Sequence, residues 1–146
     1  GGFAAADAFC QAEADAAGVT GTFHALLAGS SANAASRFDT NGPTWVRADG
    51  VPLATTATDV MAGNVRAPLD VTLAGTYTAP EIWTGATLQP PNGATTNMYT
   101  CADWTDSVGT QQGADTIAMF SGTYFFGASG AITCTQPLRH LYCLQQ

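Results

Sequence analysis

Four cysteines, Cys10, Cys101, Cys134 and Cys143, are the residues whose type and spacing most directly imply chemistry. None forms a Cys-x-x-Cys pair, and Pro137 lies between Cys134 and Cys143. A structural zinc site wants ligand pairs about two to four residues apart. The even count therefore reads as two disulfides rather than a metal or redox centre. Such bonds persist in oxidising compartments, so the expected location is extracellular or at the cell surface. The chain is expected to be a mature or trimmed piece of a longer exported protein.

Other groups could do chemistry of a different kind. Asp103 and Asp106 flank Trp104, with Asn92, Asn97 and Asp115 as further oxygen donors. Calcium takes about six to eight oxygens, several from closely placed carboxylates, so Asp103 and Asp106 are the weak calcium candidates; no other cofactor is expected. Capping a turn or bonding backbone amides is the competing role for Asp103. Tyr99, Phe120, Tyr124, Phe125 and Phe126 sit among Gly, Ser and Thr, a mixture suited to adaptable binding surfaces. Asn97, Tyr99, Asp103, Asp106, Phe120, Tyr124 and Phe125 form the candidate ligand-binding set. Trp45, Trp83 and Trp104 could stack on sugars, but aromatic residues in strands are usually core. For catalysis the sequence offers two histidines, His24 and His140, without a Gly-x-Ser-x-Gly elbow, a His-Glu-x-x-His helix or a phosphate loop. With every cysteine paired there is no nucleophilic thiol, so the chain is not expected to be an enzyme.

The elements that must position these groups belong to one domain spanning residues 1–146, long enough for a real core. No apolar run approaches the roughly 18 residues of a membrane helix. There is no lysine, and four arginines stand against eleven carboxylates, for a net charge of -7. That balance excludes the basic footprint needed for nucleic acid, heparin or anionic lipid. Charged residues make up 10% of the chain, against about 25% in an ordinary soluble domain. An Ala/Gly/Thr-rich surface of this kind suits weakly charged partners or self-assembly.

Residues 1–18 hold the clearest helix, with Phe9 and Cys10 on its inner face and Gly18 as its stop. Residues 22–28 read as a strand and residues 33–38 as a short helix capped by Ser31 or Asn33. Asp49-Gly50 between apolar pairs signals a hairpin, and residues 59–62 read as a helical turn. Residues 82–85, 101–105, 133–134 and 141–144 are the later strand candidates. Residues 88–99 and 109–130 read as loops. Early helices followed by short strands point to an α+β domain with a mostly antiparallel sheet.

Several blocks carry a resemblance. Gly1-Gly2-Phe3-Ala4-Ala5-Ala6-Asp7-Ala8-Phe9-Cys10-Gln11-Ala12, Phe23-His24-Ala25-Leu26-Leu27, Trp83-Thr84-Gly85, Cys101-Ala102-Asp103-Trp104-Thr105 and Leu141-Tyr142-Cys143 occur in the order found in bacterial endostatin-like domains of exported and surface proteins. The chain resembles that family over nearly its whole length. The resemblance implies a C-type-lectin-like fold with nested disulfides, Cys10 to Cys143 and Cys101 to Cys134. Four cysteines allow three connectivities, and spacing alone does not choose among them. The Glu-Pro-Asn or Gln-Pro-Asp triplet of calcium-dependent lectins is missing, and Gln89-Pro90-Pro91-Asn92 is a loose echo of it. Family members carry a strand just before the Gly-Gly, whereas the sequence begins at Gly1. The expectation is that a first strand is absent, cut away or supplied by something else, and a sheet lacking it would expose an edge with which other chains can pair.

The function expected on these grounds is an extracellular binding or adhesion module. Its second-half loops, residues 88–99 and 108–130, would contact a glycan or an extracellular protein. A structural subunit of a larger surface assembly is the alternative. A hydrolase with paired carboxylates is the third reading.

Overall fold

The computed structural model describes residues 1–86, 99–127, 130–136 and 138–146. Helix α1, Gly2–Ala16, is closed by Gly18, whose φ of +70° suits glycine. It buries Cys10 and Ala14 against β1, Phe23–Ala25, and the buried Leu27. Phe9 turns out to be half exposed rather than part of that inner face. The expected second helix is a short 3-10 turn, Ala35–Arg37, where the Asn33 side chain accepts from Ser36 N at 2.8 Å.

The Asp49-Gly50 hairpin forms as the sequence implies, with Val46 bridged to Pro52 and Gly50 at φ +85°. Helix α2, Ala57–Met61, follows, its first turn capped by the Thr56 hydroxyl, which accepts from Asp59 N at 3.0 Å. A second small hairpin bridges Val71 to Tyr77.

Strand β2, Glu81–Trp83, pairs antiparallel with β3, Gln112–Ile117. β3 pairs antiparallel with β4, Gly130–Thr133. β5, His140–Leu141, runs parallel to β2, giving the order β4-β3-β2-β5. β6, Cys143–Gln145, pairs antiparallel with β1. The molecule is thus a small α+β domain with few helices and largely antiparallel sheets. The main core gathers Leu26, Leu53, Val60, Ile82, Phe125, Phe126, Tyr142 and Leu144.

Two further expectations fail. Residues 101–104 are no strand: Cys101, Ala102, Asp103 and Trp104 all have φ between +50° and +64°, a single left-handed helical turn. L-residues avoid that conformation because Cβ crowds the following carbonyl oxygen. Residues 109–130, read as loop, contain β3, the longest strand described. β3 runs through the middle of its sheet, so its buried positions need small side chains. At Gly113 a Cβ would come within 2.6 Å of the Trp83 ring and 2.8 Å of Cys101 Sγ.

Two disulfides cross this frame. Cys10–Cys143 ties α1 to β6, and Cys101–Cys134 ties the left-handed turn to the end of β4. The pairing is the nested one that the resemblance implies. No helix among the described residues is long and apolar enough to cross a membrane.

Candidate functional site

The aromatic island splits into an inner and an outer half. A 3-10 turn, Gly122–Phe125, is anchored by Gly122 N donating to Val65 O at 2.7 Å, and Thr116 Oγ1 donates to Tyr124 O at 2.5 Å. This turn drives Phe125 inward to 0% exposure, stacked on Tyr142 with centroids 4.7 Å apart and Phe126 edge-on at 5.1 Å. Phe125 therefore belongs to the core and cannot meet a ligand, contrary to expectation. Tyr124 is its opposite: 55% exposed, with its ring 6.1 Å from the half-buried Phe120 and exposed Met119 close by in sequence. Tyr99 is half-buried. Asn97 and Asn92 lie outside the described residues.

The carboxylates proposed for calcium are engaged elsewhere. Asp103 accepts from Ser30 N at 2.6 Å and from Ser30 Oγ at 2.5 Å, fastening the left-handed turn to the segment after β1. Trp104 adds a second fastening, its Nε1 donating to Ala28 O at 2.9 Å. Asp106 accepts from Val108 N, Gly109 N and Gln111 N at 2.9, 3.2 and 2.7 Å, and from the Thr110 hydroxyl at 3.4 Å. Those donors, the backbone amides above all, hold the Asp106 carboxyl below the usual carboxylate range. Asp115 is buried in β3, where Arg139 donates to it at 3.1 Å. The candidate oxygens thus face three different local frames. Among the described residues no three His, Cys, Asp or Glu side chains converge as a metal site.

The tryptophans serve packing. Trp83 and Trp104 meet edge-on at 6.0 Å beside the core under α1, and Trp45 packs edge-on to Phe38 at 5.7 Å. Trp83, Trp104, Phe9, Leu27, Leu141, Arg139 and His140 also line an open groove of about 340 Å³. His24 and His140 stand on separate strands, β1 and β5.

Sequence reasoning missed the cluster between the two hairpins. Arg47, 9% exposed, donates to Asp49 through Nε at 3.0 Å and also through Nη2. Its Nη1 reaches Asp70 Oδ1 at 2.7 Å and Pro68 O at 2.9 Å. The Tyr77 hydroxyl donates to Asp49 Oδ2 at 2.7 Å, while Arg47 lies over the Tyr77 ring, 5.5 Å from its centroid. The guanidinium and the phenol together hold the Asp49 carboxyl far below its ordinary range. The bond to Asp49 also keeps the Tyr77 phenol protonated to higher pH than usual. The one sequence signal was Arg47 itself, a scarce cation between the apolar arms of a hairpin.

No protein-family model matches the chain, and no curated protein matches it.

Proposed function

We propose that the chain is an extracellular, non-catalytic binding module of endostatin-like, C-type-lectin-like fold. It recognises a glycan or an extracellular protein through its second-half surface. The observation that carries this reading is the outward-facing Tyr124, flanked by Phe120 and mounted on a turn that Val65 and Thr116 hold in place. A rigid aromatic side chain on a fixed backbone contributes contact area at small entropic cost. The nested disulfides support the fold assignment and an oxidising compartment.

A glycan and protein array, run with calcium and again with chelator, tests the reading. Tyr124→Ala is expected to weaken the best hit about tenfold or more while leaving the thermal midpoint in place. Phe125→Ala should instead cost about 3–5 kcal/mol of stability, as loss of a buried aromatic ring does. Undiminished binding by Tyr124→Ala would remove the surface from consideration.

The outer edge of β4, terminal in its sheet, favours a second reading as a building block of a surface assembly. Light scattering that finds a monomer across the accessible concentration range would exclude it.

A further inference from the structure

Positive charge on this molecule is almost entirely consumed from within. Arg37 pairs with Asp7 at 2.7 Å, Arg47 with Asp49 and Asp70, and Arg139 with Glu81 and Asp115. Arg66 is exposed and has no ion pair among the described residues. Apart from Arg66, the charge that faces solvent is therefore mostly acidic, and a cationic partner meets little repulsion.

One place on that surface is built to receive such a partner. Tyr77 is 64% exposed, yet its ring is held at both ends. Its backbone bridges to Val71, and its hydroxyl is fixed by Asp49. An exposed tyrosine without those ties would lose rotamer freedom on binding, whereas this one has already lost it. The ring is a standing platform. Beside it, Asp70 gives one oxygen to Arg47, and its Oδ2 accepts no hydrogen bond among the described residues. Two carboxylates against one guanidinium leave the cluster with an excess of negative charge. Exposed Val51 and Leu73 on the two hairpins offer apolar surface for an aliphatic stem.

We propose that Tyr77 and Asp70 form a receptor for one basic side chain, an arginine or lysine of a partner protein. The cation would lie on the exposed part of the ring while an N–H donates to Asp70 Oδ2. Arg47 is the positioning residue: it holds Asp49, Asp70 and Tyr77 in register and touches no ligand. This site shares no residue with the Tyr124 surface, so either can fail without the other.

The test uses the intact disulfide-bonded chain and two blocked tripeptides, acetyl-Gly-Arg-Gly-amide and acetyl-Gly-Gln-Gly-amide, titrated in amide-resolved NMR. The arginyl probe is expected to bind in the millimolar range, about −4 kcal/mol. It should shift the amides of residues 49–51 and 70–77 and weaken as salt is added. The glutaminyl probe should leave them unmoved. Tyr77→Leu and Asp70→Asn should each reduce arginyl affinity about threefold to fivefold, the loss expected for an exposed cation–π contact or ion pair. Equal binding of both probes, or shifts confined to other residues, overturns the proposal without recourse to any variant. A methyl glucoside that shifts the Tyr77 region when the arginyl probe does not would overturn it too, in favour of a sugar platform.

Discussion

At the residue scale, the polar side chains matter most where they close a loop that the backbone cannot close alone. Asp106 does this by taking three amides and a hydroxyl of residues 108–111. Its ionised form is the one those donors favour, so its folded pKa lies below the unfolded value near ~3.9. A depressed carboxyl pKa contributes stability that is complete above the unfolded pKa and is lost as pH falls through the folded one. Asp106→Asn supplies a single oxygen and carries no charge. We expect the variant to be less stable than the parent at pH 7, with the gap closing as both are taken below about pH 4. Denaturation midpoints across that range measure the gap. A difference that stays constant with pH would mean that shape rather than charge sets the role of Asp106. The same scale divides neighbours: one position separates the exposed Tyr124 from the buried Phe125, and composition treats them alike.

At the element scale, the left-handed turn at residues 101–104 is where sequence and conformation disagree most. Each non-glycine residue in this region costs about 1–2 kcal/mol, and the turn persists because its surroundings over-determine it. Asp103 to Ser30, Trp104 to Ala28 and the bridge from Cys101 are those surroundings. Ala102 makes none of these ties by its side chain, so Ala102→Gly should relieve strain and stabilise the fold by up to about 1 kcal/mol after the added chain entropy, read as a raised thermal midpoint. A lowered midpoint would show that the turn is less strained than its dihedrals imply. Elements with local signals were legible in advance: α1 from its alanines and Gly18, the first hairpin from Asp49-Gly50, the strand at Trp83 from its apolar run. β3 was not, because Gly-Ala-Asp-Thr lacks bulk, and that lack of bulk is what lets Gly113 sit against Trp83 and Cys101. The left-handed turn has no local signature at all. Likewise the Arg47 cluster draws on partners 2, 23 and 30 positions away, and only the folded hairpins bring them together. The Tyr124 surface was half legible, as an aromatic island whose inner and outer faces could not be told apart.

At the scale of the whole molecule, two covalent ties of unequal reach hold the frame. Cys10–Cys143 spans 133 positions and joins α1 to β6, whereas Cys101–Cys134 spans 33 and encloses both β3 and β4. In the chain-entropy model these loops are worth about 5 and about 4 kcal/mol, upper figures that native strain and residual unfolded structure reduce. The shorter loop also closes around two strands already paired along four residues, whereas the longer one fixes a helix to the far end of the chain. Replacing Cys10 and Cys143 together with alanine should therefore lower the urea midpoint more than replacing Cys101 and Cys134. The second variant should keep α1 docked, with faster amide exchange confined to residues near 100–106. If that second variant proves the less stable, loop length is not what ranks the two bridges. The dominant effect of Cys101–Cys134 would then be to hold the left-handed turn, and through Ser30 and Ala28 the packing of α1 against β1 would depend on it.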